Sequence, residues 1–159
     1  MHRMLNSSFR DYTAPDALVR RRRFPENPTL DALLGARQWG VVLSVMVVDD
    51  DDRFRGLAKR MLAGCGYRTE GEAWNVSDAL QQTAQHMPDI VLVDVGLPDG
   101  DGFELTKRLS ALSSTARIVL VSADSDAASQ QDAKDAGAVG FVPKSDLSCA
   151  VLHLLLDTE

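Results

Sequence analysis

The chain is short of three things. It has only two cysteines in 159 residues, Cys65 and Cys149. They are too few for a disulfide framework and lack the close pairing of a metal motif. They read as two buried thiols in a reducing, cytoplasmic setting. The chain also lacks an apolar run of membrane length: Gly40 to Val48 covers only about half a bilayer span and reads as a strand. Arg21-Arg22-Arg23-Phe24 has the look of a twin-arginine export signal, but Pro25-Glu26-Asn27-Pro28 follows where a signal peptide needs an apolar stretch. Finally, it is short of positive charge, with 17 Lys and Arg against 23 Asp and Glu and a formal charge of −6. That balance argues against a nucleic-acid-binding domain, because phosphates must be neutralised by basic side chains. Neither direct nucleic-acid binding nor membrane insertion is expected.

The charge is unevenly spread. Residues 1–43 carry seven arginines against four acidic residues, a net +3, and leave −9 to the remainder. Three of the six prolines, Pro15, Pro25 and Pro28, also fall there. Residues 1–43 therefore read as a basic, flexible N-terminal extension, with Arg20 to Arg23 as solvated charge, and residues 44–157 as the globular domain. Residues 1–40 are expected to be dispensable for fold and chemistry, with translation beginning naturally near Val41.

From Val45 onward, apolar runs of strand length alternate with segments of helical spacing. Val45 to Val48, Ile90 to Val93 and Ile118 to Val121 are apolar on both faces, and Tyr67 to Ala73 and Val139 to Pro143 complete the predicted strands. The spacing predicts helices over 53–62, from a Ser77 cap to Met87, over 103–112, over 126–136 and over 147–156. In the first of these the apolar set is Phe54, Leu57, Ala58, Met61 and Leu62. Doubly apolar strands belong to a sheet covered on both sides, and strict alternation implies right-handed crossovers in a doubly wound fold. Ligands of such folds sit beyond the carboxyl ends of the strands.

The residues at those ends are Asp49 and Asp50, Asp94, Ser122 and Lys144. Singly each is a turn former, a cap or a surface charge. Together, three crowded carboxylates repel one another, and a hard divalent cation such as magnesium relieves the repulsion. Cation, ammonium and hydroxyl then form a site for a phosphoryl group. Asp94, on a central apolar strand and followed by the turn-rich Gly96-Leu97-Pro98-Asp99-Gly100-Asp101-Gly102, is the candidate nucleophile for an acyl phosphate. That loop reads as flexible and open to a phosphoryl donor.

Four motifs in order carry a resemblance: Val47-Val48-Asp49-Asp50, the stretch Val93 to Gly102, Val121-Ser122-Ala123, and Gly140-Phe141-Val142-Pro143-Lys144. Residues 44–156 resemble a response-regulator receiver domain of two-component signal transduction. The resemblance implies a flavodoxin-like α/β fold, with five parallel strands in the order 2-1-3-4-5 and five helices. It implies Asp94 as phosphoacceptor, with Ser122 and Lys144 completing the catalytic set. Magnesium would be held by Asp49, Asp50, Asp94 and the Gly96 backbone carbonyl, with Asp50 the more direct ligand and Asp49 acting partly through water. Ser122 and Phe141 would form the switch.

The implied function is a single-domain, cytoplasmic response regulator, not an enzyme, that takes a phosphoryl group from a histidine kinase or histidine phosphotransfer protein and changes its binding to a downstream protein. The kinase is expected beside the first helix, at Phe54 and Leu57. A homodimer through the fourth helix, fifth strand and fifth helix is open. Two alternatives stand beside this reading: a phosphorylation-independent binding module, and the receiver part of a regulator whose output domain is absent from this chain.

Some positions depart from the pattern. Pro143 precedes Lys144 where relatives have Lys-Pro, so a cis-proline argument does not transfer. Phe141 lacks a tyrosine hydroxyl. Gly96 has no side chain to steer water, a role open to Asp124. The same glycine argues against a haloacid-dehalogenase-type hydrolase, which needs an acid two residues after its nucleophile.

Overall fold

The computed structural model describes residues 41–112 and 115–157. The expected extension over residues 1–43 lies outside the described residues except for its last three positions. The main sheet contains β1 (Ser44–Val48), β2 (Arg68–Ala73), β3 (Ile90–Asp94), β6 (Arg117–Ser122) and β7 (Gly140–Pro143). Its order is β2-β1-β3-β6-β7 and every pairing is parallel. In order of appearance this is the expected 2-1-3-4-5 doubly wound topology. A short antiparallel ribbon, β4 (Gly96–Leu97) with β5 (Gly100–Asp101), follows β3.

The helices are α1 (Asp52–Gly64), α2 (Val76–His86), α3 (Gly102–Leu112), α4 (Gln130–Asp135) and α5 (Cys149–Asp157), and a 3-10 turn spans Lys144–Asp146. Strand pleating sends alternate residues to opposite faces. Val45, Val47, Leu92, Val119, Val121 and Val142 face Ala58 and Leu62 of α1 and Leu152 and Leu156 of α5. Met46, Val48, Val91, Val93, Leu120 and Phe141 face Ala79 of α2, Leu105 and Leu109 of α3 and Ala133 of α4. The sheet is thus buried on both sides, which is why its central strands read as unbroken apolar runs.

Several local expectations need correction. The cap of α2 is Asn75, not Ser77: its side chain accepts the Asp78 N–H at 2.7 Å. The Asp99 carboxylate, arriving from the ribbon turn, takes the Val76 and Ser77 N–H groups at 2.7 and 3.2 Å. Asp124 to Asp126 form a turn, with the Asp126 N–H on Asp124 Oδ1 at 2.9 Å, so α4 starts only after Ser129, which forms a capping box with Asp132. Leu147 is extended rather than helical, and the Ser148 hydroxyl accepts the Val151 N–H at 3.2 Å as α5 begins.

The first helix also turns differently from its apolar pattern. Arg55 is buried, at 8% exposure, while Leu57 stands 60% exposed. The two cysteines are not separate buried thiols. Cys65, the C-cap of α1, and Cys149, the first residue of α5, are half-buried and form a disulfide across 84 residues, with Cα atoms 5.5 Å apart. The β1–β2 crossover helix α1 and the helix α5 that follows the last strand lie on one face of the sheet, and that tertiary placement has no signature in the local sequence. Closing a loop of this length stabilises a fold by about 4 kcal/mol on the chain-entropy account.

The loop after β3 is held rather than loose. Gly102 donates its N–H to the Val95 carbonyl at 2.8 Å, closing the ribbon back onto the end of β3. A Cβ at Gly102 would collide with the Asp94 carbonyl oxygen and come within 2.8 Å of the Val95 Cα, both backbone atoms that cannot swing away. Gly102→Ala is therefore expected to cost about 1–3 kcal/mol, the range for an overpacked site. Thermal unfolding should show a fall of several degrees; an unchanged melting curve would mean that the loop yields freely.

Candidate functional site

The strand register brings the predicted residues to one edge. Val48, the last residue of β1, pairs with Val93, one before Asp94. Asp94 pairs with Val121, one before Ser122, and Ser122 pairs with Pro143, one before Lys144. Parallel strands with this register place Asp49, Asp94, Ser122 and Lys144 along a single carboxyl edge.

There, Lys144 Nζ lies 2.6 Å from Asp49 Oδ2 and 3.4 Å from Asp94 Oδ2. Asp49 is fully buried, and Asp94 and Lys144 have side chains only 10% and 16% exposed. Asp50 is exposed. One oxygen from each of Asp49, Asp50 and Asp94 can be found within 4.8 Å of the others. This all-oxygen donor set suits a hard divalent cation that keeps some of its waters, so the residues present fit magnesium. The predicted carbonyl ligand, Gly96, lies in β4, and its N–H reaches Asp94 Oδ1 at 3.4 Å.

Electrostatics follow the packing. Burial pushes the Asp94 carboxyl up to about 6, the neighbouring Asp49 charge adds to the rise, and Lys144 opposes it. For Lys144, burial favours the neutral amine, but the hydrogen bonds and charges of Asp49 and Asp94 outweigh it and leave the ammonium harder to deprotonate than usual. The Phe54 ring of α1 sits under this ammonium, 4.4 Å from Nζ to the ring centre, a cation–π contact that shields it from water.

The acidic loop is shaped by its own backbone. Asp49 Oδ1 accepts the Asp51 N–H at 2.8 Å, and Asp51 caps α1 by accepting the Arg53 N–H at 3.0 Å. Asp51 is thus the helix cap that an aspartate run before a helix suggests. The apolar spacing of α1 does not mark Arg55 as a site residue. Its Nη1 donates to the Asp49 carbonyl at 2.7 Å, Nη2 reaches Asp52 at 2.8 Å, and Nε lies 3.5 Å from Glu72. The available signal was positional: an arginine one turn inside α1, on the side that returns to the acidic loop.

Ser122 is buried, and its Oγ accepts the Asp124 N–H at 3.1 Å. Asp124 itself is exposed beside it. Phe141 is 4% exposed, its ring packed in the core between the sheet and α2–α4. Its main chain is bracketed by one side chain: Gln130 Nε2 donates to the Phe141 carbonyl at 2.6 Å, and the Phe141 N–H donates to Gln130 Oε1 at 3.0 Å. No sequence spacing marks this pairing on the outer edge of β7. Pro143 follows a trans bond, since no described residue has a cis peptide.

The chain is similar to known proteins in sequence and in fold. The family model for the response regulator receiver domain matches residues 45–153. The chemotaxis protein CheY of Bacillus subtilis is 31% identical over 114 residues, covering 72% of this chain and 95% of that one. A crystal structure of a putative response regulator from Chloroflexus aurantiacus superposes with a TM-score of 0.65 at 29% identity, over 73% of this chain and 96% of that one. A response regulator from Burkholderia pseudomallei, solved with a phosphorylated aspartic acid, a calcium ion and citrate, gives 0.63 at 27% identity, over 71% of this chain and 66% of that one. On the matched family model, the doubly wound sheet and the acidic cluster at its carboxyl edge, residues 45–153 belong to the response regulator receiver domain family of two-component systems.

Proposed function

We propose that this receiver domain accepts a phosphoryl group on Asp94 in a magnesium-dependent reaction and thereby changes its affinity for protein partners. One observation carries the reading: a nearly buried carboxylate, Asp94, shares a single ammonium with the buried Asp49 inside a cluster of three aspartates. Such a cluster holds more negative charge than one lysine balances, and a cation-bound phosphoryl group completes it. The relative solved with a phosphorylated aspartic acid and a calcium ion supports the reading.

The roles follow from position. An Asp94 carboxylate oxygen is the nucleophile. Lys144, already poised between Asp94 and Asp49, binds a transferred phosphoryl oxygen, and the Ser122 hydroxyl donates to another. Asp49, Asp50, Asp94 and the Gly96 carbonyl would hold magnesium, which when bound neutralises phosphoryl charge. Phe54 and Arg55 keep Lys144 and the Asp49 backbone in place. The domain acts as a phosphoacceptor rather than a turnover enzyme, with Asp124 the side chain nearest to Ser122 in sequence that can influence hydrolysis.

Its donor is a histidine kinase or histidine phosphotransfer protein. The exposed Leu57, on the helix that leaves the acidic loop, offers an apolar contact for it. The reading as a binding module without phosphorylation gains no support from a site that keeps every ionic partner. A single-domain, cytoplasmic regulator remains part of the proposal, with dimerisation across α4, β7 and α5 as its open variant.

Acetyl phosphate with magnesium should add one phosphoryl group to the protein by intact mass. The gain should vanish in Asp94→Ala and on chelation of the metal. It should slow by roughly 100-fold in Lys144→Ala, the scale for losing one charge-stabilising group. Absence of any mass gain on the parent protein would sink the phosphoacceptor reading.

A second prediction concerns pH. Because the folded-state pKa of Asp94 is raised from 3.8 to about 6, the native state holds this proton more tightly than the unfolded chain. Its contribution to stability is present below pH ~3.8 and is lost as pH rises through about 6. In metal-free protein, Asp94→Asn should therefore raise stability by about 1–3 kcal/mol near pH 8, with the gain shrinking toward zero near pH ~4. Denaturant melts at the two pH values measure it; an equal gain at both would assign the effect to packing instead.

A further inference from the structure

The phosphoryl chemistry makes no use of the disulfide. Small disulfide-dense domains use such bridges to replace a core they lack. This domain has a two-sided core and one bridge, so the fold does not need the bridge as a substitute. Both cysteines are half-buried, so neither is sealed from small reagents. The bridge joins the two helices that share one sheet face. The start of α1 follows the acidic loop, and α5 follows Lys144 by a short turn. The same two segments meet again at the site, where Lys144 contacts Asp49 and lies over Phe54. A third contact, between the Tyr67 ring and His153 of α5 at 5.8 Å, lies two residues beyond Cys65.

We propose that Cys65 and Cys149 form a reversible thiol–disulfide modification site that sets how firmly α1 is clamped to α5. The co-reactant is a low-molecular-weight disulfide of the glutathione class. In closing, one protein thiolate attacks a sulfur of the small disulfide and releases one small thiol. The second protein thiolate then attacks the protein sulfur of that mixed disulfide and releases the other. The protein loses two electrons and two thiol protons, and the small disulfide becomes two thiols. A dithiol reductant reverses both steps. Because the folded chain holds the two Cα atoms 5.5 Å apart, within the usual span of a disulfide, closure needs no rearrangement of the backbone. This site is independent of the phosphoryl reading and stands whether or not Asp94 is modified.

The test equilibrates the full chain in buffers of graded glutathione to glutathione-disulfide ratio, quenches by alkylation, and reads intact mass, melting temperature and amide exchange. The expected oxidised product is a monomer with both thiols lost and no glutathione retained, and dithiothreitol restores both thiols. Closing should raise the melting temperature by roughly 10–20 °C, the shift corresponding to an 84-residue loop in a domain of this size. Closing should also slow amide exchange in α1 and α5. Cys65→Ser and Cys149→Ser should each retain one glutathione, melt like the reduced parent and show no redox shift. Stable glutathione adducts on the parent, a disulfide-linked dimer, a bridge that native protein will not release to dithiothreitol, or equal melting temperatures for the two forms would each overturn the proposal.

Discussion

The Lys144 ammonium, 2.6 Å from Asp49 and 3.4 Å from Asp94, is the contact on which the carboxyl edge of the sheet depends. Taking a charge out of water costs several kcal/mol even after relaxation, and an unpaired partner leaves that cost uncompensated. Asp49 is fully buried and Asp94 nearly so, and among the described residues Lys144 is the cation bonded to both side chains. Three aspartates face one lysine here, so the arrangement is under-neutralised; burial first, and then the neighbouring Asp49 charge, raises the Asp94 carboxyl against the pull of Lys144. That residual repulsion is a store of affinity for added positive charge. It stabilises the protonated acid in the bare protein and favours a cation where one is supplied.

The rest of the edge is built so that these groups cannot drift apart. Register places Asp94 and Ser122 on neighbouring strands. Gly102, which alone can pass so close to the Asp94 carbonyl, folds the ribbon back onto the end of β3, and the Asp99 carboxylate then ties that ribbon to the start of α2. On the other flank Arg55 holds the Asp49 carbonyl from inside α1, while Phe54 covers Lys144. Two adjacent residues of one helix thus serve the two signs of charge in the site.

The fold was legible because its physics is local and repetitive. Strands such as Ile90–Asp94 are apolar up to their last residue because both faces are covered, and that leaves an unmistakable run in the chain. The ionic residues were legible because they directly follow those runs. What escaped reading is what depends on tertiary detail. An arginine on a helix reads as solvent-facing, yet Arg55 turns inward because a main-chain carbonyl and two carboxylates receive its guanidinium, which displaces Leu57 from the expected apolar face. The ribbon is too short to show an alternating pattern. Gln130 mimics a neighbouring strand with a side-chain amide, a role no spacing rule anticipates. The cysteines, 84 residues apart, pair only because the first crossover helix and the helix after the last strand pack on the same face.

The Gln130 bracket bears on how a signal at Asp94 can travel. Phe141 has both main-chain polar groups fixed by one amide on the outer edge of β7, and its neighbours on the inner edge are the ladder bonds to β6. With the backbone held from both sides, a rearrangement starting at Ser122 has little strand motion available to it. On the proposed reading the response must pass through torsion of the Phe141 ring within the core shared with Ala133 of α4. Because α4 has only six residues and is anchored through Gln130 to the same strand, a change in ring position would, on that reading, reach the surface at the start of that helix, close to where its Ser129–Asp132 capping box sits. The bridged helices α1 and α5 pack on the opposite side of the sheet from Phe141, so the proposed clamp and this route would act on different faces.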